Sequence, residues 1–315
     1  MRAYQLPKGG AGIDALVQVE RPDPKPAYRQ VVVKVKACSL NFRDLGIVRG
    51  TYRMPVRENL IPLSDGAGEV IEIGPGATRV KVGDRVAGCF FQRWAGGEAP
   101  ADVHASALGG GIDGMLAEYA VLEEDGVVKI PAHLSLEEGA TLPCAGVTVW
   151  NAMMEHAKLI AGQTVLLQGT GGVSIFGLQL ARMMGIQVEC QSAGMRTWRL
   201  HRSHRHGVDH IVEVGGAATL ARSFGAIRVG GKITMIGGLS GPATELNPGL
   251  IFARRANVQG ISVGSMQMFE ALGRAMAASG IKPVIDKIFP FDEAQAAYRH
   301  MASGAHFGKI VIRVA

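Results

Sequence analysis

The sequence predicts an α/β protein in two parts, a partly closed β domain followed by a doubly wound parallel sheet. Two textures and the point where they meet support this. The first third consists of short runs that alternate apolar with charged residues and are broken by glycine turns. Beyond residue 135, continuous apolar runs alternate with helical periodicity. A period of two marks half-buried strands, whereas strand-helix alternation with apolar strands requires a sheet covered on both faces. The change comes at Ser135-Leu136-Glu137-Glu138, a capping serine followed by early acids that suit a helix macrodipole.

Taken in order, Val31 to Ala37 (VVVKVKA) reads as a half-buried strand, and Glu69–Ile73 and Asp84–Cys89 as shorter ones. Gly74-Pro75-Gly76 and Gly83-Asp84 supply the turns, and residues 92–114 read as loop. Short strands at such spacing suit a compact, partly closed β domain. Val147 to Lys158 reads as a helix, Thr164–Leu167 as a strand, Ser174–Met184 as a helix and Gln187–Val188 as a short extended piece. Ile211–Val214, Lys232–Ile236 and Val258–Ser262 are further expected strands, and the tail Lys309–Val314 (KIVIRV) is expected to return to the first domain. The expected division is 1–145 plus 264–315 for the substrate domain and 146–263 for the second domain.

With 315 residues, 47% apolar and 19% charged, the chain can bury a substantial core, and its 43 glycines are dispersed rather than repeated. The net charge of +6 is concentrated in Arg196, Arg199, Arg202 and Arg205, so no basic face for nucleic acid is implied. Cys38, Cys89, Cys144 and Cys190 form no C-x-x-C pair and read as reduced thiols. The N-terminal MRAYQLPKGG lacks a signal-peptide stretch, and no run approaches the ~18 apolar residues of a membrane span. The expectation is a soluble, cytoplasmic protein that takes a small-molecule substrate, with neither nucleic acid nor membrane as partner.

The chemistry is signalled from Val165 to Ala181, VLLQGTGGVSIFGLQLA. An apolar strand runs into Gly169, Thr170, Gly171, Gly172 and Val173 and then into an amphipathic helix. One glycine makes the tight turn, another admits a pyrophosphate to the backbone, and the helix N-terminus offers unpaired N–H groups to the anion. The third position of the Rossmann fingerprint is Ser174, with Gly177 three residues on. A glycine-rich turn without a ligand remains the competing reading. In the next strand Glu189 falls too early to meet a ribose, and the tip residue is Ser192, followed by Arg196. A hydroxyl with a guanidinium suits a 2′-phosphate, which favours NADP and leaves NAD open.

Three further motifs, GEVIEIGPGATRVKVGDRV from Gly68, LPCAG from Leu142 and HFGKIV from His306, stand in order around that turn. Together they give the chain a resemblance to the medium-chain dehydrogenase/reductase superfamily, in particular its zinc-free quinone oxidoreductase-like branch, also described as NAD(P)-dependent alcohol dehydrogenase-like. The resemblance implies a GroES-like first domain, a Rossmann second domain and a homodimer. It also implies that no metal is needed, because Asn41, Ser64 and Asp65 stand where zinc-dependent members carry ligands and only Cys144 survives. Asn41 and Tyr52 match positions lining the substrate pocket, where either can donate to the oxygen of a quinone or α,β-unsaturated carbonyl as hydride arrives. Cys144, Thr148, Gly237, Gly238, Val263 and Gly264 match loops at the cofactor, and Lys309 a pyrophosphate contact. The plainer readings are that Asn41 caps a helix at Phe42, Tyr52 is a packing aromatic, and Arg43 and Asp44 form a structural pair. A zinc-free alcohol or aldehyde oxidoreductase, or a dinucleotide-binding protein that has lost catalysis, are the alternatives.

One stretch departs from the family. Between the second and fourth strands of a Rossmann unit the chain has only residues 191–207, roughly twenty fewer than usual element and loop lengths require. The expectation is that the third strand is gone, that Gln187–Cys190 becomes the sheet edge, and that a basic helix from about Met195 to His206 makes the crossing. His201, His204 and His206 lack the cysteine or carboxylate neighbours of a metal site.

Overall fold

The computed structural model describes residues 1–191, 206–239, 241 and 247–314. Its contacts divide the chain into two units, Met1–Val147 with Gly264–Ala315, and Thr148–Val263.

The first unit opens with strands β1 (Arg2–Gln5), β2 (Val17–Glu20), β3 (Gln30–Ser39), β4 (Asp65–Ile73), β5 (Arg85–Gly88), β6 (Tyr119–Glu123) and β7 (Val127–Lys129). β3 is the run whose alternation the sequence displays: Val31, Val33 and Val35 are fully buried, while Lys34 and Lys36 are only half covered. It pairs antiparallel with both β4 and β6, and β5 and β7 extend the sheet beyond β4. The chain later returns to this unit through a helix at Met266–Ser279, a parallel pair of strands and a helix at Ala294–Ser303.

Strands β8 to β12 make the second unit: β8 (Thr164–Gln168), β9 (Gln187–Gln191), β10 (Val208–Glu213), β11 (Ile227–Met235) and β12 (Asn257–Gly260). The returning strands are β13 (Ile285–Pro290) and β14 (Lys309–Arg313), and β14 lies between β13 and β3. The two returning helices went unread in the sequence. They bury Phe269, Leu272 and Met276 in one, and Ala297, Tyr298 and Met301 in the other, at helical spacing.

The second unit is a parallel sheet in the order β12-β11-β10-β8-β9. β8 is buried along its whole length, as a central strand covered on both faces must be. Among the described residues no strand pairs on the outer side of β9; the stretch expected to lack the third strand lies outside them up to residue 205. The helix expected from Met195 lies outside the described residues up to residue 205. The helix read from Val147 is α-helical only to Trp150 and runs on to His156 in wider turns, with Ala157 N–H donating to the Ala152 carbonyl. Among the described residues no helix is long and apolar enough to cross a membrane.

The interior of this sheet carries a titratable group. His210 on β10 is fully buried, its Nε2 2.8 Å from Thr234 Oγ1, which in turn lies 2.6 Å from His156 Nδ1. Burial, reinforced by His156 and Lys232, pushes the His210 imidazole down to about 3. An unfolded histidine takes up its proton near pH ~6.5. As pH falls from there toward 3 the unfolded chain therefore binds more protons than the folded one, and stability is lost. His210→Gln removes this contribution. Between pH 6.5 and 5, wild type should lose about 2 kcal/mol more stability than the variant, from one proton over the interval. Urea unfolding at both pH values tests this, and parallel losses in the two proteins would refute it.

Candidate functional site

In the second unit the glycine turn follows directly from β8. Gly169 has a φ of +73°, and a Cβ added at either Gly169 or Gly171 would meet nothing within 4 Å. The helix Gly172–Met183 begins there with no side-chain cap, and among the described residues the amides of Thr170 to Val173 have no hydrogen-bond acceptor. Free N–H groups at a twelve-residue helix, facing open space, fit the pyrophosphate of a dinucleotide. The two departures from the fingerprint also have physical reasons. Ser174 uses its hydroxyl to close the turn, donating to the Gln168 carbonyl at 2.6 Å. Close packing of helix on strand falls to Gly177, where a Cβ would lie 2.8 Å from Leu167 Cδ2.

Sequence reasoning missed the residues that hold this turn in place. β10 ends at Glu213, fully buried, whose carboxylate accepts from five donors. These are the amides of Gly215 (2.9 Å) and Gly216 (3.0 Å), Thr219 Oγ1 (2.5 Å), Gln168 Nε2 (2.7 Å) and the Ser223 hydroxyl. Gln168, the last residue of β8, accepts in turn from the amides of Val214 and Gly215. The turns after β8 and β10 are thereby clamped together where the strand order reverses. The signal available was an acid ending an apolar strand and followed by V-G-G. Gly237 and Gly238 come to the same end of the sheet: a Cβ on Gly216 would lie 2.8 Å from Gly238 Cα, and one on Gly237 would lie 2.9 Å from the Val214 carbonyl oxygen. Thr148 is buried, and Val263, at a φ of +49°, accepts at its carbonyl from Asn151 Nδ2. Gly264 belongs to the first unit. Ser192 and Arg196 lie outside the described residues.

The first unit holds a second polar cluster, built from the end of β3, the start of β4 and the start of β14. Lys309 donates to the Leu40 carbonyl and to Asn41 Oδ1, both at 2.6 Å, and lies 3.8 Å from Asp65 Oδ2. Ser64 Oγ donates to Asp65 Oδ1 at 2.9 Å and the Cys144 amide to Oδ2 at 3.3 Å. This corrects the expected pyrophosphate contact: Lys309 is 3% exposed and its ammonium is committed inside the unit. Asn41 does open the helix Phe42–Val48 in a capping box, with Asp44 reaching back to its backbone N–H at 2.7 Å, and the Asn41 side-chain oxygen also accepts from Lys309.

Burial pushes the Asp65 carboxyl up, opposed by Lys309, Asn41 and Ser64. It also lifts Asp44 to about 6, against the pull of Arg43. The Cys144 thiol is raised well above its usual range by burial and by the Asp65 charge. A carboxamide, one carboxylate, one thiol and an ammonium bonded to the amide oxygen make a poor donor set for a metal ion. Among the described residues no three histidine, cysteine, aspartate or glutamate side chains converge to hold one.

Tyr52 is half-buried and lines a cleft of about 360 Å³ with Leu6, Pro7, Ile47 and Met54. The Arg43 guanidinium lies 5.1 Å from its ring centroid and 4.5 Å from that of Phe90, donates to the Leu108 carbonyl, and pairs with Asp44 at 3.7 Å. Asn41 and Tyr52 are thus linked through Arg43 and Asp44.

Comparison with known proteins agrees with this architecture. Residues 27–132 match the family model of the alcohol dehydrogenase GroES-like domain, and residues 192–312 that of the zinc-binding dehydrogenases. A zinc-type alcohol dehydrogenase-like protein of Schizosaccharomyces pombe is 38% identical over 335 residues, covering 96% of each chain. That alignment is longer than the present chain of 315 residues, so the relative has residues with no counterpart here. The human quinone oxidoreductase is 27% identical, covering 92% of this chain and 90% of its own. The crystal structure of an NAD-dependent alcohol dehydrogenase superposes with a TM-score of 0.89 at 25% identity, covering all of both chains.

The open space at Gly171 allows a direct test of the turn. Gly171→Val should fold with a melting temperature close to wild type, because its φ of −73° is ordinary and an added Cβ meets no protein atom within 4 Å. Binding of reduced dinucleotide, followed by nicotinamide fluorescence, should weaken at least about tenfold as the backbone is screened from the anion. Unchanged affinity would remove this turn from the site.

Proposed function

The chain belongs to the medium-chain dehydrogenase/reductase superfamily and is an NAD(P)-dependent oxidoreductase, and on that premise we propose that it reduces the polarised double bond of a quinone or α,β-unsaturated carbonyl without a metal. The observation that carries the reading is the Lys309 ammonium 2.6 Å from Asn41 Oδ1, a fixed positive charge among side chains that do not suit zinc. Reducing a carbonyl to an alcohol puts charge on an alkoxide, which a Lewis acid eases. Conjugate reduction spreads the charge over an enolate, for which neutral hydrogen-bond donors suffice.

In this reading the bound dinucleotide supplies the hydride. Asn41, with Oδ1 taken by Lys309, offers its Nδ2 hydrogens to the substrate oxygen. Tyr52 offers a hydroxyl as second donor or proton source from its cleft. The amides of Thr170 to Val173 hold the pyrophosphate, with Cys144, Thr148, Gly237, Gly238, Val263 and Gly264 on loops at the nicotinamide. Ser192 and Arg196 favour NADP over NAD. A homodimer in the cytoplasm completes the proposal. The second reading, a zinc-free alcohol or aldehyde oxidoreductase, draws support from the names of the 38% identical relative and of the structural neighbour. It leaves alkoxide charge to be met without a Lewis acid.

Steady-state rates with quinones, enones and primary alcohols separate the two readings. Asn41→Ala and Tyr52→Phe should each lower kcat by about a hundredfold or more, the usual effect of losing a donor at a developing oxyanion. Cys144→Ser should lower kcat less than either. Wild-type kcat in both of the first two variants would show the pocket to be elsewhere.

Dialysis against a chelator should leave the rate unchanged. Stoichiometric zinc in the purified protein, with activity lost on its removal, would overturn the metal-free mechanism.

A further inference from the structure

We propose that Lys309 is a positioning residue: its buried ammonium fixes the orientation of the Asn41 carboxamide and polarises it, giving its N–H bonds the electrostatic strength that a metal cation would otherwise lend the site. The proposal rests on the reading of Asn41 as donor to the substrate oxygen.

An ammonium has only hydrogens to offer, so the group it meets at 2.6 Å must be the carbonyl end of the amide. The amide therefore cannot flip, and its nitrogen is the end turned away from the ammonium. Asn41 Nδ2 is buried and makes no hydrogen bond of normal geometry, in a residue only 8% exposed, although its amide also steadies the Asp65 carboxylate. A buried donor left unsatisfied is costly in a finished fold and marks a place where a ligand atom completes the bonding. The backbone of Asn41 is equally constrained. Its N–H donates to Asp44 Oδ2 at 2.7 Å, and its carbonyl accepts from the Asp44 N–H at 2.9 Å. With both backbone ends held and Oδ1 taken, the amide nitrogen, which carries two hydrogens, is the group of this residue left to meet a ligand.

The charge matters as well as the geometry. A cation on the carbonyl oxygen draws electron density from the amide nitrogen, and in a low-dielectric interior such coupled hydrogen bonds reinforce one another. The Lys309 side chain is 4% exposed, so water does not screen it. Its counter-charge is Asp65, held by Ser64 and the Cys144 amide and 3.8 Å distant, whereas Asn41 sits at full hydrogen-bond distance.

The test compares Asn41→Ala with Lys309→Gln, which keeps a donor but removes the charge, and with Lys309→Met/Asp65→Asn, which removes both charges so that no ion is left buried alone. Thermal melts and dinucleotide fluorescence establish that each variant is folded and loaded. The expected result is kcat lowered about tenfold to a hundredfold in both lysine variants, with KM for the enone or quinone within about twofold of wild type. A merely structural lysine would move the melting temperature and leave kcat per folded molecule unchanged. Wild-type kcat in either folded lysine variant, with Asn41→Ala inactive, overturns the role of Lys309 alone. Wild-type kcat in Asn41→Ala overturns the underlying reading instead.

Discussion

Taking an ammonium out of water costs several kcal/mol unless acceptors and a counter-charge surround it, and the first unit is folded so that Lys309 finds all of them. β14 inserts between β13 and β3 with Val311 opposite Ser39, and the ladder carries on as the Leu40 N–H and the Ser39 hydroxyl both donate to the Ile310 carbonyl. That register sets Lys309 against Leu40 and Asn41, 268 positions away in sequence. The opposite neighbour of β3 supplies the anion, since Ser39 is also paired with Asp65. Three segments therefore meet at one charge. Slipping any of the three strands by a residue would strand the charge without its partners, at about 3–5 kcal/mol for one lost partner of a buried pair.

The second unit solves the converse problem with the same means. Glu213 is a buried carboxylate surrounded by donors, two of them backbone amides of the loop that follows it. Because Gln168 shares the network, the loops after β8 and β10 have little freedom to separate. This clamp lies between the central strands, whereas β9 stands at the edge. Among the described residues the glycine turn is thus held by groups at the ends of β8, β9 and β10, with the Gly169 N–H donating to the Gln191 carbonyl.

What could be read from the sequence divides along the same physical line. Local regularities were legible. The alternation of VVVKVKA gave β3, the apolar run before Gly169 gave β8, and the capping box at Ser135, with Glu138 reaching back at 2.7 Å, gave a helix start. Two residues were half legible. Asn41 opens a helix as its residue type suggests, and Tyr52 packs against Ile47 and Leu60 as an aromatic should, yet each also carries a second relationship that comes only with tertiary structure. The function of Lys309 was misread, because a lysine at the head of an alternating strand gives no sign of pointing inward. The short stretch between β9 and β10 was legible by counting residues alone.

The arrangement around Asn41 also determines how pH can reach it. The carboxamide does not titrate, so the site feels acidity only through its neighbours. Of these, Asp44 touches the Asn41 backbone, and burial has lifted it to about 6 despite Arg43 beside it. Above that value a full negative charge holds the Asn41 N–H and balances Arg43. Below it the grip weakens and the guanidinium is left with less counter-charge, while it still lies against the rings of Tyr52 and Phe90. Both donors assigned to the substrate oxygen are thereby tied to one carboxyl group, Asn41 through its backbone and Tyr52 through Arg43. In the proposed reading, a cluster built on a protein ammonium takes its acid-base behaviour from residues one step back from the reacting atoms.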